Sequence, residues 1–185
     1  MTSKPHLRPA LESDIPAVAG IYAHYVLHST ASFETVPPDT QEMARRRQDV
    51  LKTNLPYLVA EIDGTVVAYA YAVPYRPRAG YRFTVEDSIY VHRDYAGKGI
   101  GRLLLAALIE ACEKTACRQM LAVIGGRDNT ASVRLHHAFG FRQVGLLQSV
   151  GFKFGAWVDT VLMQRRLGLG DAGMPDDGQV LTAVP

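Results

Sequence analysis

The sequence predicts an α/β (α+β) protein built on one mixed sheet of about seven strands. Three observations carry this. Runs of period two and runs of helical spacing succeed one another in the order β-α-α-β-β-β-α-β-α-β-β. Asp63-Gly64 stands between two β-rich runs, 57–62 and 65–73, a strong hairpin signal. A β-rich run over 83–91 passes through a glycine cluster into a leucine-rich amphipathic segment.

The elements follow in order. Residues 7–10 read as a short strand. Ser13 or Asp14 can cap a helix starting at Ile15-Pro16, where Ile15, Val18, Ile21, Tyr22 and Tyr25 keep helical spacing. Residues 29–38 form a loop, and 40–51 a second helix whose Arg45, Arg46 and Arg47 make a solvated face. After the hairpin, 74–80 is a loop rich in Pro and Arg. In the strand 83–91, Phe83, Val85, Ile89 and Val91 alternate with Thr84, Glu86, Ser88 and Tyr90, giving one greasy and one polar face. A helix over 100–114 and an apolar strand over 118–124 come next. A helix over 129–139 ends at Gly140, and strands over 141–149 and 157–165 close the domain. Residues 168–185 hold four glycines and two prolines without any period. They read as a flexible tail beyond a domain spanning 1–167.

The 185 residues, 48% of them hydrophobic, suffice for one domain with a sizeable core. A net charge of +2 implies no nucleic-acid partner. Cys112 and Cys117 offer no disulfide framework and no metal quartet, which suits a reducing cytoplasm. The N-terminal Met-Thr-Ser-Lys-Pro-His has no apolar secretory core, and no run approaches the roughly 18 apolar residues of a membrane span.

The glycine cluster is the most informative stretch. Gly97, Gly99 and Gly101 lie between a strand and a helix N-terminus, where unpaired N–H groups and the helix dipole favour an anion. A dinucleotide fingerprint would need glycine at 102, where Arg102 stands. A nucleotide P-loop would need Ser or Thr after Lys98. Both spacings fail, and on the local motif alone a tight turn with no ligand stays open. Ala96-Gly97-Lys98-Gly99-Ile100-Gly101, followed by Asn129-x-x-Ser132-x-x-Leu135-His136-x-x-x-Gly140-Phe141, resembles the two signatures of the GCN5-related N-acetyltransferase (GNAT) superfamily. Ala96 stands where that family usually has Gln or Arg.

A closer likeness covers most of the chain, from near residue 6 to residue 167. Ser32-Phe33-Glu34-Thr35, Tyr75-Arg76-Pro77, Thr84-Val85-Glu86-x-Ser88-Ile89-Tyr90-Val91 and Gly151-Phe152-Lys153-Phe154-Gly155-x-Trp157-x-Asp159 are similar to the phosphinothricin N-acetyltransferase subgroup. The resemblance implies a twisted, mostly antiparallel sheet flanked by helices. It implies acetyl-CoA as co-substrate without a metal, and a homodimer. The acceptor would be the α-amino group of phosphinothricin, methionine sulfoximine or methionine sulfone, attacking directly in a ternary complex. Ile89, Tyr90, Val91, Gly97, Lys98, Gly99, Ile100, Gly101, Arg102, Asn129 and Ser132 would hold the coenzyme. Phe33, Glu34, Tyr75, Arg76, Pro77, Thr84, Val85 and Glu86 would surround the acceptor.

The chemistry is consistent with these residue types. An α-ammonium has a pKa of about 7.7–8.0 and must lose a proton before it attacks. Glu86, on the polar face of its strand, is the candidate base. Asp87 is the fallback, but it alternates onto the greasy face, where its carboxylate would need a local bulge or a partner. Asn129, Ser132 and His136 share one helical face beside the apolar Leu135 and Phe139, a pattern any surface helix also shows. By resemblance, Asn129 would bind the pantetheine arm. His136 would stand where relatives carry a tyrosine that protonates the leaving thiolate. Arg76 could fork onto the acceptor's acidic group. By resemblance the segment holding Lys153 and Trp157 lies near a dimer-linked active site, although a single Trp is more often core or interface. His137 reads as structural or exposed, and His24, His28 and His92 carry no motif. Acetylation of a protein amine, or acyl-CoA sensing without catalysis, are the competing readings.

Overall fold

A computed structural model of the protein describes residues 4–126 and 128–175. Strand β1 (His6–Pro9) runs antiparallel to β2 (Tyr57–Ile62), which turns into β3 (Thr65–Pro74). Asp63 and Gly64 take φ of 49° and 77° at that turn, the left-handed pair that a two-residue hairpin requires. With β4 (Thr84–Val91), β5 (Gln119–Gly125), β6 (Arg142–Lys153) and β7 (Ala156–Arg166), the sheet order is β1-β2-β3-β4-β5-β7-β6. Every neighbouring pair is antiparallel except β4 and β5.

Helices cover both faces. Ala68, Ala70 and Ala72 of β3 lie opposite Val91, Ile89 and Asp87 of β4. These small side chains let helix α3 (Ile100–Glu113) approach, and Leu104, Leu105, Leu108 and Cys112 are fully buried. On the other face, Tyr69, Tyr71 and Val73 lie opposite Tyr90, Ser88 and Glu86. Helix α1 (Ile15–His28) covers this side, with the rings of Tyr22 and Tyr25 each 5.1 Å from Tyr90 and set edge-on. The face of β4 expected to be polar is thus an aromatic one, because a tyrosine ring is buried as readily as an apolar side chain. Helix α2 (Thr40–Lys52) packs on α1, with Asp39 accepting the Glu42 N–H at its N-cap. Short α4 (Thr130–His137) leads into β6.

Three expectations change. Asp14 does not cap α1 with its side chain; a 3-10 turn over Glu12–Asp14 precedes the helix. The Asp14 carboxylate instead receives Arg8 Nη1 and Nη2 at 2.6 and 2.8 Å and the Leu11 N–H at 2.7 Å. Strand β6 runs four residues past its expected end and turns at Phe154-Gly155, with φ of 54° and 76°. That turn escaped the sequence because a bulky aromatic rarely takes a left-handed conformation. In the expected tail, Gly170 and Ala172 donate to the Leu167 and Leu169 carbonyls, and Arg166 pairs with Asp171 at 2.9 Å. Positions 176–185 of that tail lie outside the described residues. Among the described residues no helix is long and apolar enough to cross a membrane, and no group of His, Cys, Asp or Glu is placed to hold a metal ion. Both cysteines are buried, and burial pushes both thiols up.

Arg8 also donates to Glu61 at 2.9 and 2.7 Å, tying β1 to β2 and to the start of α1. The hydrogen bonds from Arg8 are the main cause that holds the Asp14 carboxyl below its ordinary value, against the opposing effect of burial. A depressed carboxyl stabilises the fold above its unfolded pKa and loses that contribution as pH falls through the folded one. Asp14→Asn is expected to lower stability at pH 7 by about 1–3 kcal/mol, and the gap to wild type should close below pH ~4. Urea titrations at the two pH values check this.

Candidate active site

The parallel pairing of β4 and β5 runs only from Thr84–Gln119 to Asp87–Ala122. Both strands continue, to Val91 and Gly125, so they part. A cleft of about 470 Å³ opens there, walled by Ser88–Val91 on one side and Ala122–Gly125 on the other. Past Asp87 the β4 backbone has no β5 partner on this side; at Val91 the N–H donates to Tyr25 OH at 3.3 Å and the carbonyl accepts from it at 2.7 Å.

The glycine loop and α3 close one end of the cleft. Gly97 and Gly99 have φ of 75° and 83°, and Gly99 is the N-cap of α3. A Cβ on either would meet open space, so their positive φ rather than crowding calls for glycine, and the first turn of α3 faces the cleft through Ile100, Gly101 and Arg102. Gly101 has another role: a Cβ there would lie 3.4 Å from Leu135 Cδ2, so it lets α3 and α4 approach. Of the residues expected to hold coenzyme, Ile89, Tyr90, Val91, Gly97, Gly99, Ile100, Gly101, Arg102, Asn129 and Ser132 all line this cleft. Lys98 differs, its ammonium lying 4.9 Å over the Tyr95 ring. Asn129 is the N-cap of α4, its Oδ1 accepting the Ser132 N–H at 3.3 Å.

His136 lies inward of the polar stripe expected for α4. Its side chain is buried, Nδ1 lies 2.8 Å from the Ser132 carbonyl, and Nε2 lies 3.0 Å from Asp87 Oδ2. A carbonyl only accepts, so Nδ1 carries a hydrogen. Nε2 and Asp87 then hold one more proton between them. Burial pushes the imidazole pKa down, but the Asp87 carboxylate outweighs it and the net direction is up, favouring imidazolium beside carboxylate. Both ring nitrogens are therefore engaged within the protein. Asp87 has found the partner its place on the apolar face demanded.

Glu86 is on the opposite face of β4. Its side chain points to the same side as Val73 and Tyr71, which line a second cavity of about 530 Å³. Tyr57, Tyr75, Arg46, Arg76, Pro77 and Arg78 complete much of this wall. Burial, then the neighbouring Asp87 charge, raise the Glu86 carboxyl to about 7, with Arg76 pulling against them. Arg76 is exposed at the rim, its guanidinium 5.0 Å over the Tyr75 ring. Thr84 shares the Glu86 face and its carbonyl accepts the Tyr75 N–H at 3.0 Å. Val85, expected beside the acceptor, has its side chain fully buried in the core. Phe33 packs against Gly151. Glu34 is bound by Arg46 at 2.6 Å and by Tyr22 OH at 2.8 Å, and both of those residues line the cavity. Sequence reasoning missed Arg46, assigned to a solvated helix face, because nothing local announces its partner twelve residues away.

One cavity thus lies at the fork of the sheet, and a second lies on the opposite face, beside the Val73 that pairs with Glu86. The chain belongs to the acetyltransferase (GNAT) family, whose family model matches residues 21–141. A phosphinothricin N-acetyltransferase of Alcaligenes faecalis is 55% identical over 170 residues, 92% of this chain and 86% of that protein. An L-methionine sulfoximine/L-methionine sulfone acetyltransferase of Salmonella typhimurium is 38% identical, covering 92% of this chain and 98% of its own. Among solved structures, a GNAT superfamily phosphinothricin acetyltransferase from Sinorhizobium meliloti in complex with AcCoA superposes with a TM-score of 0.92 at 44% identity, covering 97% and 96% of the two chains. A ribosomal-protein-alanine N-acetyltransferase from Brucella melitensis superposes at 0.85 with 38% identity, covering 88% and 99%.

A carboxyl with a raised folded pKa stabilises the protein when protonated and costs stability once it ionises. Glu86→Gln should therefore match wild type in melting temperature near pH ~4, where both states of the carboxyl are protonated. It should melt higher than wild type at pH 8.5 or so, after the buried carboxylate has ionised. Thermal melts across that range check this.

Proposed function

We propose that this chain moves the acetyl group of acetyl-CoA to the α-amino group of a small amino-acid-like acceptor, of the phosphinothricin, methionine sulfoximine or methionine sulfone type. The observation that carries it is Glu86: a half-buried carboxylate held near pH 7, on the acceptor side of the strand whose far end walls the coenzyme cleft. The names of the relatives support the acceptor class.

In this reading the coenzyme pyrophosphate sits at Gly97–Gly101, and Asn129 and the β4 edge hold the pantetheine arm. Glu86, directly or through a water, takes a proton from the acceptor ammonium at a pKa suited to neutral pH. The free amine nitrogen bonds to the acetyl carbon and the carbon–sulfur bond breaks. Of the two protons the ammonium loses in all, one ends on the coenzyme sulfur and the other leaves to solvent. His136, which lines the cleft, is an imidazolium whose charge is balanced by Asp87, so it offers the departing thiolate an oriented dipole rather than a net charge. Arg76, backed by Tyr75, faces the acceptor's acidic group.

Acetylation of a protein N-terminus is the second reading, favoured by the likeness to the Brucella protein. The arginine-rimmed, tyrosine-walled cavity is better matched to a small anionic amino acid than to a peptide. Coenzyme A release should be seen with L-methionine sulfoximine, and Glu86→Gln should lower kcat about a hundredfold or more. No turnover with any amino acid, alongside acetylation of alanine-led peptides, would transfer the assignment to the second reading.

The same reading makes the protein a cytoplasmic homodimer with one catalytic domain over 1–167. The outer edge of the sheet supports the dimer: Leu147, Val150, Phe152, Phe154 and Trp157 of β6, its turn and β7 are 44–68% exposed. Apolar side chains so grouped mark an interface more often than free surface. Wild type should sediment as a dimer, and Phe152→Glu as a monomer; a wild-type monomer would remove the proposal.

A further inference from the structure

Lys153 ends β6 far from the coenzyme loop, yet it is only 4% exposed. Its Nζ donates to the Ser29 carbonyl at 2.7 Å and to the Ser32 carbonyl at 2.6 Å, and lies 4.9 Å over the Phe154 ring. An ammonium is costly to bury and persists only where acceptors replace its water. Ser29 is the C-cap of α1, where the helix dipole adds negative partial charge.

Three glycines mark the same seat. A Cβ on Gly125 would meet the Thr30 carbonyl at 2.1 Å, and one on Gly126 the Thr30 hydroxyl at 2.6 Å. A Cβ on Gly151 would meet the Phe33 ring at 2.7 Å. The segment Thr30–Phe33 therefore lies against Gly125, Gly126 and Gly151, near the ends of β5 and β6. From it a chain of contacts runs to the acceptor cavity. Ser32 Oγ lies 2.8 Å from Tyr22 OH and accepts the Glu34 N–H at 3.2 Å. Tyr22 OH donates to Glu34 Oε1, which also receives Arg46.

We propose that Lys153 is a positioning residue for acetyl transfer: its buried ammonium latches the 29–32 segment to β6 and so holds Tyr22, Glu34 and Arg46 in register on the acceptor cavity. This rests on the reading that the cavity takes the acceptor. The latch acts on acceptor binding, not on chemistry, so it separates from a purely structural lysine in a KM-against-kcat split.

The test uses Lys153→Met, which keeps length and removes charge, and Ser32→Ala, which breaks the next link and spares Lys153. Both should raise KM for L-methionine sulfoximine about tenfold while kcat and the acetyl-CoA KM stay within about threefold. Hydrogen exchange of amides 29–34, which needs no turnover, should quicken in Lys153→Met. If Lys153→Met does not fold, the Ser32→Ala split decides. Acceptor KM unchanged in the folded variants, with exchange unchanged in 29–34, overturns the latch. Quickened exchange in a protein that acetylates no amino acid keeps the latch and overturns the acceptor reading instead.

Discussion

The structure depends on a pairing that stops early. Strands β4 and β5 are the sheet's one parallel pair, and they share only four residue pairs before separating. An antiparallel neighbour on each outer side keeps both strands straight after they part. The cost of the opening is a set of backbone groups with no ladder partner. Part of that cost is offset within the chain, where Tyr25 OH bonds both the N–H and the carbonyl of Val91.

Two adjacent carboxyl groups lie on opposite sides of this strand. Because β-strand side chains alternate, Asp87 lines the cleft at the fork while Glu86 shares the other face with Val73. Asp87 is tied to His136 among apolar groups, and its charge is felt through the strand by Glu86. The ionic pair on one face thus helps to raise the carboxyl on the other. The rings of Tyr57, Tyr69 and Tyr71 stack along the sheet on the wall of the second cavity, 5.0 to 6.2 Å apart.

Much of this was legible in the sequence, for local reasons. Asp63-Gly64 specified its hairpin because only a left-handed pair suits it, and Gly97 and Gly99 betrayed the turn into α3 by the same rule. Alternation located Glu86 and told that Asp87 needed company. What stayed hidden is long-range. That His136 points inward, that Arg46 serves the cavity, and that Lys153 reaches across to the end of α1 depend on contacts separated by many residues. The chemistry of tyrosine also misled: its hydroxyl marks it as polar in an alternating pattern, while its ring fills the space between sheet and helix.

The burial of Cys112 and Cys117 bears on how such an enzyme can be watched. Neither side chain reaches the surface, and burial disfavours both thiolates. A chromogenic disulfide added to the folded protein would meet no reactive sulfur of its own. The colour that develops during turnover would then count liberated coenzyme alone, and the same reagent would report unfolding as two further equivalents per chain.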